Sequence, residues 1–168
     1  MRNIRLLLVI LIFVFHTGQS NSTFSILNPS LPSDNPDKIE ILVFFSYVCG
    51  HCAHMESLLE KWSESLPNDV EIKKIPVAFN SSMKPLQQLY FTFLSLNRLD
   101  LHSKVLKAIF VENQYLFNKK SINKWIKQCN EIDFDKFEAT FNSFGVQSQI
   151  KRANHLTKFA KYMQYLCF

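Results

Sequence analysis

A chain of 168 residues is long enough to bury one hydrophobic core. With 47% apolar residues and sixteen phenylalanines, it is not an intrinsically disordered segment. Its formal charge of +5 is spread over lysines that alternate with acidic residues, and no basic stripe is interleaved with aromatics, which excludes nucleic acid as a partner.

Residues 1–20 read as a secretory signal peptide. Arg2 and Arg5 form a positive n-region, and Leu6 to Phe15 is an unbroken apolar run of ten. His16–Ser20 then turns small and polar, with Gly18 and Ser20 suited to a cleavage site. An uncleaved anchor is the alternative, but a span needs about 20 apolar residues. Loss of Arg2 and Arg5 brings the charge of +5 down to +3. The mature domain is then expected over residues 21–168, in an oxidising compartment. There the four cysteines, Cys49, Cys52, Cys129 and Cys167, either pair or do redox chemistry.

Thr23–Leu27 reads as a short strand, and Asn28–Lys38, with three prolines, as a loop. Ile39–Tyr47 is apolar apart from Glu40 and Ser46, the pattern of a strand buried on both faces. A helix is expected from Gly50 to Leu66, with Met55, Leu58, Leu59, Trp62 and Leu66 as its apolar stripe. Glu56, Glu60, Lys61 and Glu64 cover its other side, and Pro67-Asn68-Asp69 stops it. Val70–Phe79 reads as the next strand, with Pro76 near its end or at an edge. A crossover helix makes the strands on either side of it parallel.

Beyond residue 84 only helices are expected. No proline follows Pro85, and Gly145 is the one glycine in that half. The helices are Lys84–Leu96, Leu101–Glu112, Ile122–Cys129, Phe134–Phe144 and Val146–Leu166, with Asp100, Ser121 and Asp133 placed as N-caps. Leu86, Leu89, Tyr90 and Phe93 form one core stripe. Phe134, Phe137, Phe141 and Phe144 form a second, and Phe159, Ala160 and Met163 a third.

The chemistry concentrates in Cys49-Gly50-His51-Cys52. The segment lies where the strand hands over to the helix. There the free N–H groups and the helix dipole stabilise a thiolate at Cys49. Cys52, one turn on, is placed to resolve a mixed disulfide, and His51 to stabilise the Cys49 thiolate. Haem attachment fails because Ala53, not histidine, follows the second cysteine. A zinc site needs about four ligands and lacks a second Cys or His pair. An inert disulfide bridging one helical turn staples very little chain. Redox activity is favoured, with the zinc and structural readings still open from spacing alone. No cofactor or metal is expected. Cys129 falls on an apolar helix side as a buried thiol, and Cys167 lies at the terminus.

Three stretches then carry a resemblance: "NPSLPSDNPDKIEILVFFSYVCGHCAHMESLLEKW", "LPNDVEIKKIPVAF" and "FEATFNSFGVQSQIKRANHLTKFAKYM". Together they resemble the DsbA-type thiol:disulfide interchange proteins over about residues 24–165. The resemblance implies an α/β, thioredoxin-like fold: strand, strand, helix and strand over 24–80, an all-helical insertion over 84–150 and a long helix over 146–166. It implies a periplasmic oxidase that donates a disulfide to exported proteins carrying free cysteines. It further implies a membrane quinone-linked thiol oxidase as the partner that restores that disulfide. It also makes Cys49 the nucleophile, Cys52 the resolving thiol and His51 the thiolate stabiliser.

The chain departs from that family pattern in three ways. Gly50-His51 replaces the common Pro-His, as in disulfide isomerases, so a weaker oxidant is expected: potentials are about −180 mV for protein disulfide isomerase and about −120 mV for DsbA. Val43 stands where many members carry a buried acid, so resolution is expected to be slower. The family also implies a cis-proline loop, two further strands and a last helix, and no proline follows Pro85 in a chain that stops at Phe168. A fold lacking its C-terminal strands is therefore expected, with the edge of Ile39–Tyr47 uncovered and reduced stability. Under that expectation, the alternatives to an oxidase are a thioredoxin-fold remnant with little turnover and a disulfide isomerase.

Overall fold

The computed structural model describes residues 26–31 and 33–166, with side chains to residue 160. The signal segment, Thr23–Ser25 and Cys167 lie outside the described residues, as does the side chain of Met163. Residues 26–30 belong to a separate unit and form no regular element, so the described end of the expected first strand is not extended sheet. Everything below concerns the unit from Leu31 onward.

Strand β1 (Ile39–Phe45), helix α1 (Gly50–Glu64) and strand β2 (Val70–Pro76) form the α/β part. The two strands pair in parallel, from Ile39 opposite Val70 to Phe45 opposite Pro76. The last bond of the ladder runs from the Val77 N–H to the Phe45 carbonyl at 2.7 Å, just past Pro76. β1 is less buried than its composition implies: Phe45 is buried, the residues before it are half-buried, and Ile39 is 62% exposed. Among the described residues β1 has a hydrogen-bonded neighbour on one side only.

The helical part comprises α2 (Lys84–Ser95), α3 (His102–Phe110), α4 (Lys119–Cys129), α5 (Phe134–Phe141) and α6 (Phe144–Leu166). Leu89, Phe93, Val105, Ile122 and Phe137 are fully buried and form its centre, with Phe45 and Tyr47 joining from the end of β1. α2 packs on α5 and α6, α1 on α3, and α6 reaches β2. A cluster of ions ties the loop before β1 to this framework. Glu40 accepts the Asp34 and Asn35 N–H groups and pairs with Lys73, while Arg152 on α6 reaches Asp34.

Two of the three expected N-caps are placed differently. Asp133 caps α5, its Oδ1 accepting the Lys136 N–H at 2.8 Å. α4 begins three residues earlier than expected because Asn118 is its cap; Ser121 is the reciprocal third residue of a capping box. Asp100 lies in a 3₁₀ turn ahead of α3 and instead grips the Arg98 guanidinium, at 2.9 and 2.8 Å. Phe144 leaves the second core stripe. α5 ends at Phe141, and Phe144 opens α6 with 83% of its surface exposed.

The main correction concerns α1. Its apolar stripe does not face the core: Met55, Leu58 and Trp62 are 50%, 57% and 46% exposed. Its one buried residue is Glu56, assigned above to the solvent side. α1 turns Glu56 toward β2 and α3, where Lys74 and His102 supply the partners a buried carboxylate requires.

Candidate active site

Cys49 is the N-cap of α1, with extended backbone (φ −99°, ψ 107°). Its Sγ accepts the Cys52 N–H at 3.2 Å and so satisfies one of the orphan donors of the helix end. The preceding residues form a tight turn in which the Cys49 N–H donates to the Ser46 carbonyl at 3.0 Å. That turn starts as soon as β1 ends, and this places the first cysteine at the helix mouth.

The two sulfurs titrate in opposite directions. Cys49 is held below the ordinary thiol value by its hydrogen bond with Cys52; burial opposes this, and the backbone N–H groups of Cys52 and His51 add to the lowering. Burial pushes Cys52 up, and its contact with Cys49 pushes it further. Both cysteines are half-buried, and Cys52 packs against the hydrophobic core. Cys49, Cys52 and Cys129 carry free thiols. One thiol favoured as thiolate beside one favoured as thiol is the asymmetry that lets the first attack and the second act in turn.

His51 is exposed in α1. It reaches Cys49 through its backbone N–H, and among the described residues no hydrogen bond joins its ring to the sulfur. Cys129 is half-buried against the core on α4, and burial raises its thiol, with the Glu131 carboxylate adding to the effect. Among the described residues no group of three or more His, Cys, Asp or Glu side chains is arranged to hold a metal ion.

Gly50 is the first residue of α1, and its φ is not positive, so glycine is not required there. A Cβ added to it would meet a ring carbon of Phe110 at 3.7 Å, an ordinary contact. Gly50→Pro is therefore expected to raise dithiol-form stability by about 0.4–1 kcal/mol, since proline is preorganised for a helix start and restricts the unfolded chain. Thermal unfolding of the reduced protein checks this; a lower midpoint would contradict it.

Behind the cysteines lies a buried polar group that the sequence did not announce. Glu56, four residues after Cys52, is paired with Lys74 through Oε1, and its Oε2 lies 3.2 Å from His102 Nε2. His102 Nδ1 is 2.8 Å from the Tyr47 hydroxyl. Burial pushes the Glu56 carboxyl up, but the His102 imidazole and the Lys74 ammonium outweigh it and hold the group at about 2. Burial, with nearby Tyr90 and Glu56, keeps the Tyr47 phenol protonated by raising it well above its usual value. Glu56, Lys74 and His102 also line a small pocket of about 180 Å³ between α1, β2, α2 and the start of α3. The available signals were two lysines, Lys73 and Lys74, between Ile72 and Ile75 in a half-buried strand, and a glutamate one turn beyond Cys52.

No family model matches the chain. Among curated proteins it is similar to the thiol:disulfide interchange protein DsbA of Bordetella parapertussis, 48% identical over 134 residues, covering 80% of this chain and 64% of that protein. It is 31% identical to the DsbA of Pseudomonas aeruginosa over 131 residues, covering 77% of this chain and 62% of that one. The chain thus spans just under two thirds of the length of these curated relatives. Among solved structures, the crystal structure of Pseudomonas aeruginosa DsbA superposes with a TM-score of 0.70 at 31% identity, over 76% of this chain and 67% of that one. The oxidoreductase NmDsbA1 of Neisseria meningitidis superposes with a TM-score of 0.68 at 25% identity, over 80% and 70%. The thioredoxin-like fold with an all-helical insertion is accordingly the fold of this chain, its described sheet being the two parallel strands. With its cysteine pair at the mouth of α1 and this degree of likeness in sequence and structure, the chain belongs to the DsbA family of thiol:disulfide interchange proteins.

Proposed function

We propose that the protein is a thiol:disulfide oxidoreductase that transfers a Cys49–Cys52 disulfide to exported proteins. In the oxidised form a substrate thiolate attacks Cys49 Sγ. The Cys49–Cys52 bond breaks as the mixed disulfide forms, and Cys52 leaves as a thiolate and takes up a proton. A second substrate thiolate attacks the substrate sulfur of that mixed disulfide. The substrate disulfide forms, and Cys49 leaves as a thiolate. Two substrate thiols are oxidised and the cysteine pair is reduced. The observation that carries this reading is Cys49 as the N-cap of α1, its Sγ receiving the Cys52 N–H at 3.2 Å. Cys49 is the nucleophile and Cys52 the resolving thiol. His51 contributes its backbone N–H, and its solvent-facing ring is free to meet substrate.

The signal-like residues 1–20 support export to the periplasm, with residues 21–168 as the mature domain. A quinone-linked membrane thiol oxidase is the fitting reoxidant there, because the pair must be returned to a disulfide after each transfer. The exposed Met55, Leu58 and Trp62 favour a second reading, a thioredoxin-fold remnant without turnover. Gly50-His51 favours an isomerase as the third.

Competitive alkylation of the reduced protein near neutral pH tests the main reading. Cys49 is expected to react well ahead of Cys129, whose thiol burial holds protonated. Equal rates at the two sites would defeat it. Oxidation of a reduced, unfolded substrate separates an oxidase from a remnant, for which only the rate of a small-molecule disulfide is expected.

A further inference from the structure

We propose that His102 is a positioning residue for the cysteine pair. One imidazole, supplied by the helical part, ties together the two flanks of the motif: Tyr47 ahead of Cys49 and Glu56 behind Cys52. This inference rests on the redox reading above and adds to it a control element outside the motif.

The geometry is specific to this one side chain. His102 opens α3 and is 3% exposed. Nδ1 is 2.8 Å from the Tyr47 hydroxyl, and Nε2 lies 3.2 Å from Glu56 Oε2, at ion-pair distance without hydrogen-bond alignment. Tyr47 is 2% exposed and sits two residues before Cys49. Glu56 is 7% exposed and sits four residues after Cys52, on the same side of α1. Lys74 touches Glu56 but not Tyr47. Among the described residues His102 is therefore the side chain with a polar atom within 3.2 Å of both flanks.

The proton arrangement follows from the partners. The Tyr47 phenol stays protonated and donates to Nδ1, which leaves the Nε2–H facing the Glu56 carboxylate. The groups facing the imidazole are Tyr47 from the turn after β1, Glu56 from α1 and the Phe45 and Tyr90 rings, whose centroids lie 4.8 and 5.5 Å from its own. Lys74 from β2 lies beyond Glu56. A phenylalanine would serve an aromatic cage of this kind as packing. Burying an imidazole there carries a cost that only its two polar contacts offset.

The same helix meets the motif at its other end, where Phe110, the last residue of α3, lies against Gly50. Closing the Cys49–Cys52 bond needs the two β-carbons about 3.5–4.5 Å apart. Fixing the turn before the first cysteine and the helix after the second restricts that separation in the dithiol. This raises the effective concentration of one sulfur at the other.

The test is the glutathione redox equilibrium of the full chain and its Tyr47→Phe, His102→Gln and double variants, with thermal unfolding measured alongside. Tyr47→Phe keeps the ring and removes one hydroxyl, so it preserves the fold. Each single variant is expected to change the Cys49–Cys52 equilibrium constant about threefold or more, the equivalent of one buried hydrogen bond. The double variant is expected to change it no further than His102→Gln alone, because both break one tie. Equilibrium constants unmoved while the unfolding midpoint falls would overturn the proposal and leave His102 a packing residue. A wild-type Cys49 that titrates like a free thiol, near about 8.5, would sink the redox reading itself. A low wild-type value with unmoved variants sinks only the role of His102.

Discussion

Under the proposed roles, Cys52→Ser is expected to leave the protein covalently attached to an oxidised protein substrate. With the resolving thiol gone, Cys49 still attacks a protein disulfide, and the mixed disulfide it forms has no internal exit. Turnover in disulfide formation is expected to fall to the level of a small-molecule disulfide, a loss of essentially the whole activity. Cys49→Ser loses the same turnover but accumulates no adduct, because Cys52 is the deeper sulfur and burial favours its protonated form. Non-reducing electrophoresis after incubation with an oxidised protein substrate separates the two. Adducts on Cys49→Ser and none on Cys52→Ser would reverse the roles assigned to the cysteines.

Lys74→Met is expected to destabilise the fold strongly. It removes the Glu56 partner while leaving the carboxylate 7% exposed, with His102 as its remaining contact. Breaking a buried pair from one side costs about 3–5 kcal/mol, and the remaining imidazole puts this case near the lower end. Glu56→Gln combined with Lys74→Met is expected to recover most of the loss, because no buried charge then stands alone. Denaturant unfolding of the two variants checks the ordering, and equal stabilities would contradict it.

The same group sets an acid limit. The Glu56 carboxyl is held at about 2 in the folded chain against an ordinary 4.5. A lowered folded value stabilises the protein above the ordinary pKa and ceases to do so as pH falls through the folded one. Stability is therefore expected to decline between about pH 4.5 and pH 2, by roughly 3 kcal/mol from this group. In Glu56→Gln that part of the decline disappears.

Much of the site was legible because it is local. A strand that ends in Cys-x-x-Cys and passes straight into a helix puts the first cysteine at the helix mouth whatever the rest of the chain does, and the Cys49 cap is that arrangement. Asp133 announced α5 in the same way, through a cap that needs only its own next three residues. Asn118 was missed because two polar residues compete across a capping box and the hydrophobic pattern begins only at Ile122. Glu56 was misread for a different reason. Helical periodicity assigns faces by hydrophobicity, and it cannot see that a carboxylate will be buried when a lysine 18 residues later and a histidine from another helix are waiting for it.

By itself, then, the sequence determined the parallel β1–α1–β2 unit, the helical remainder and the cysteine pair with its helix-end chemistry. Each of these depends on spacing and propensity within a few residues. Only the tertiary structure decided which side of α1 turns inward. It also decided that Tyr47, Glu56, Lys74 and His102 meet behind the cysteines, and that α3 closes on the motif from both of its ends. Those outcomes rest on groups far apart in the chain. Burial makes such groups find partners because an unpaired charge in the interior costs more than the fold can spare.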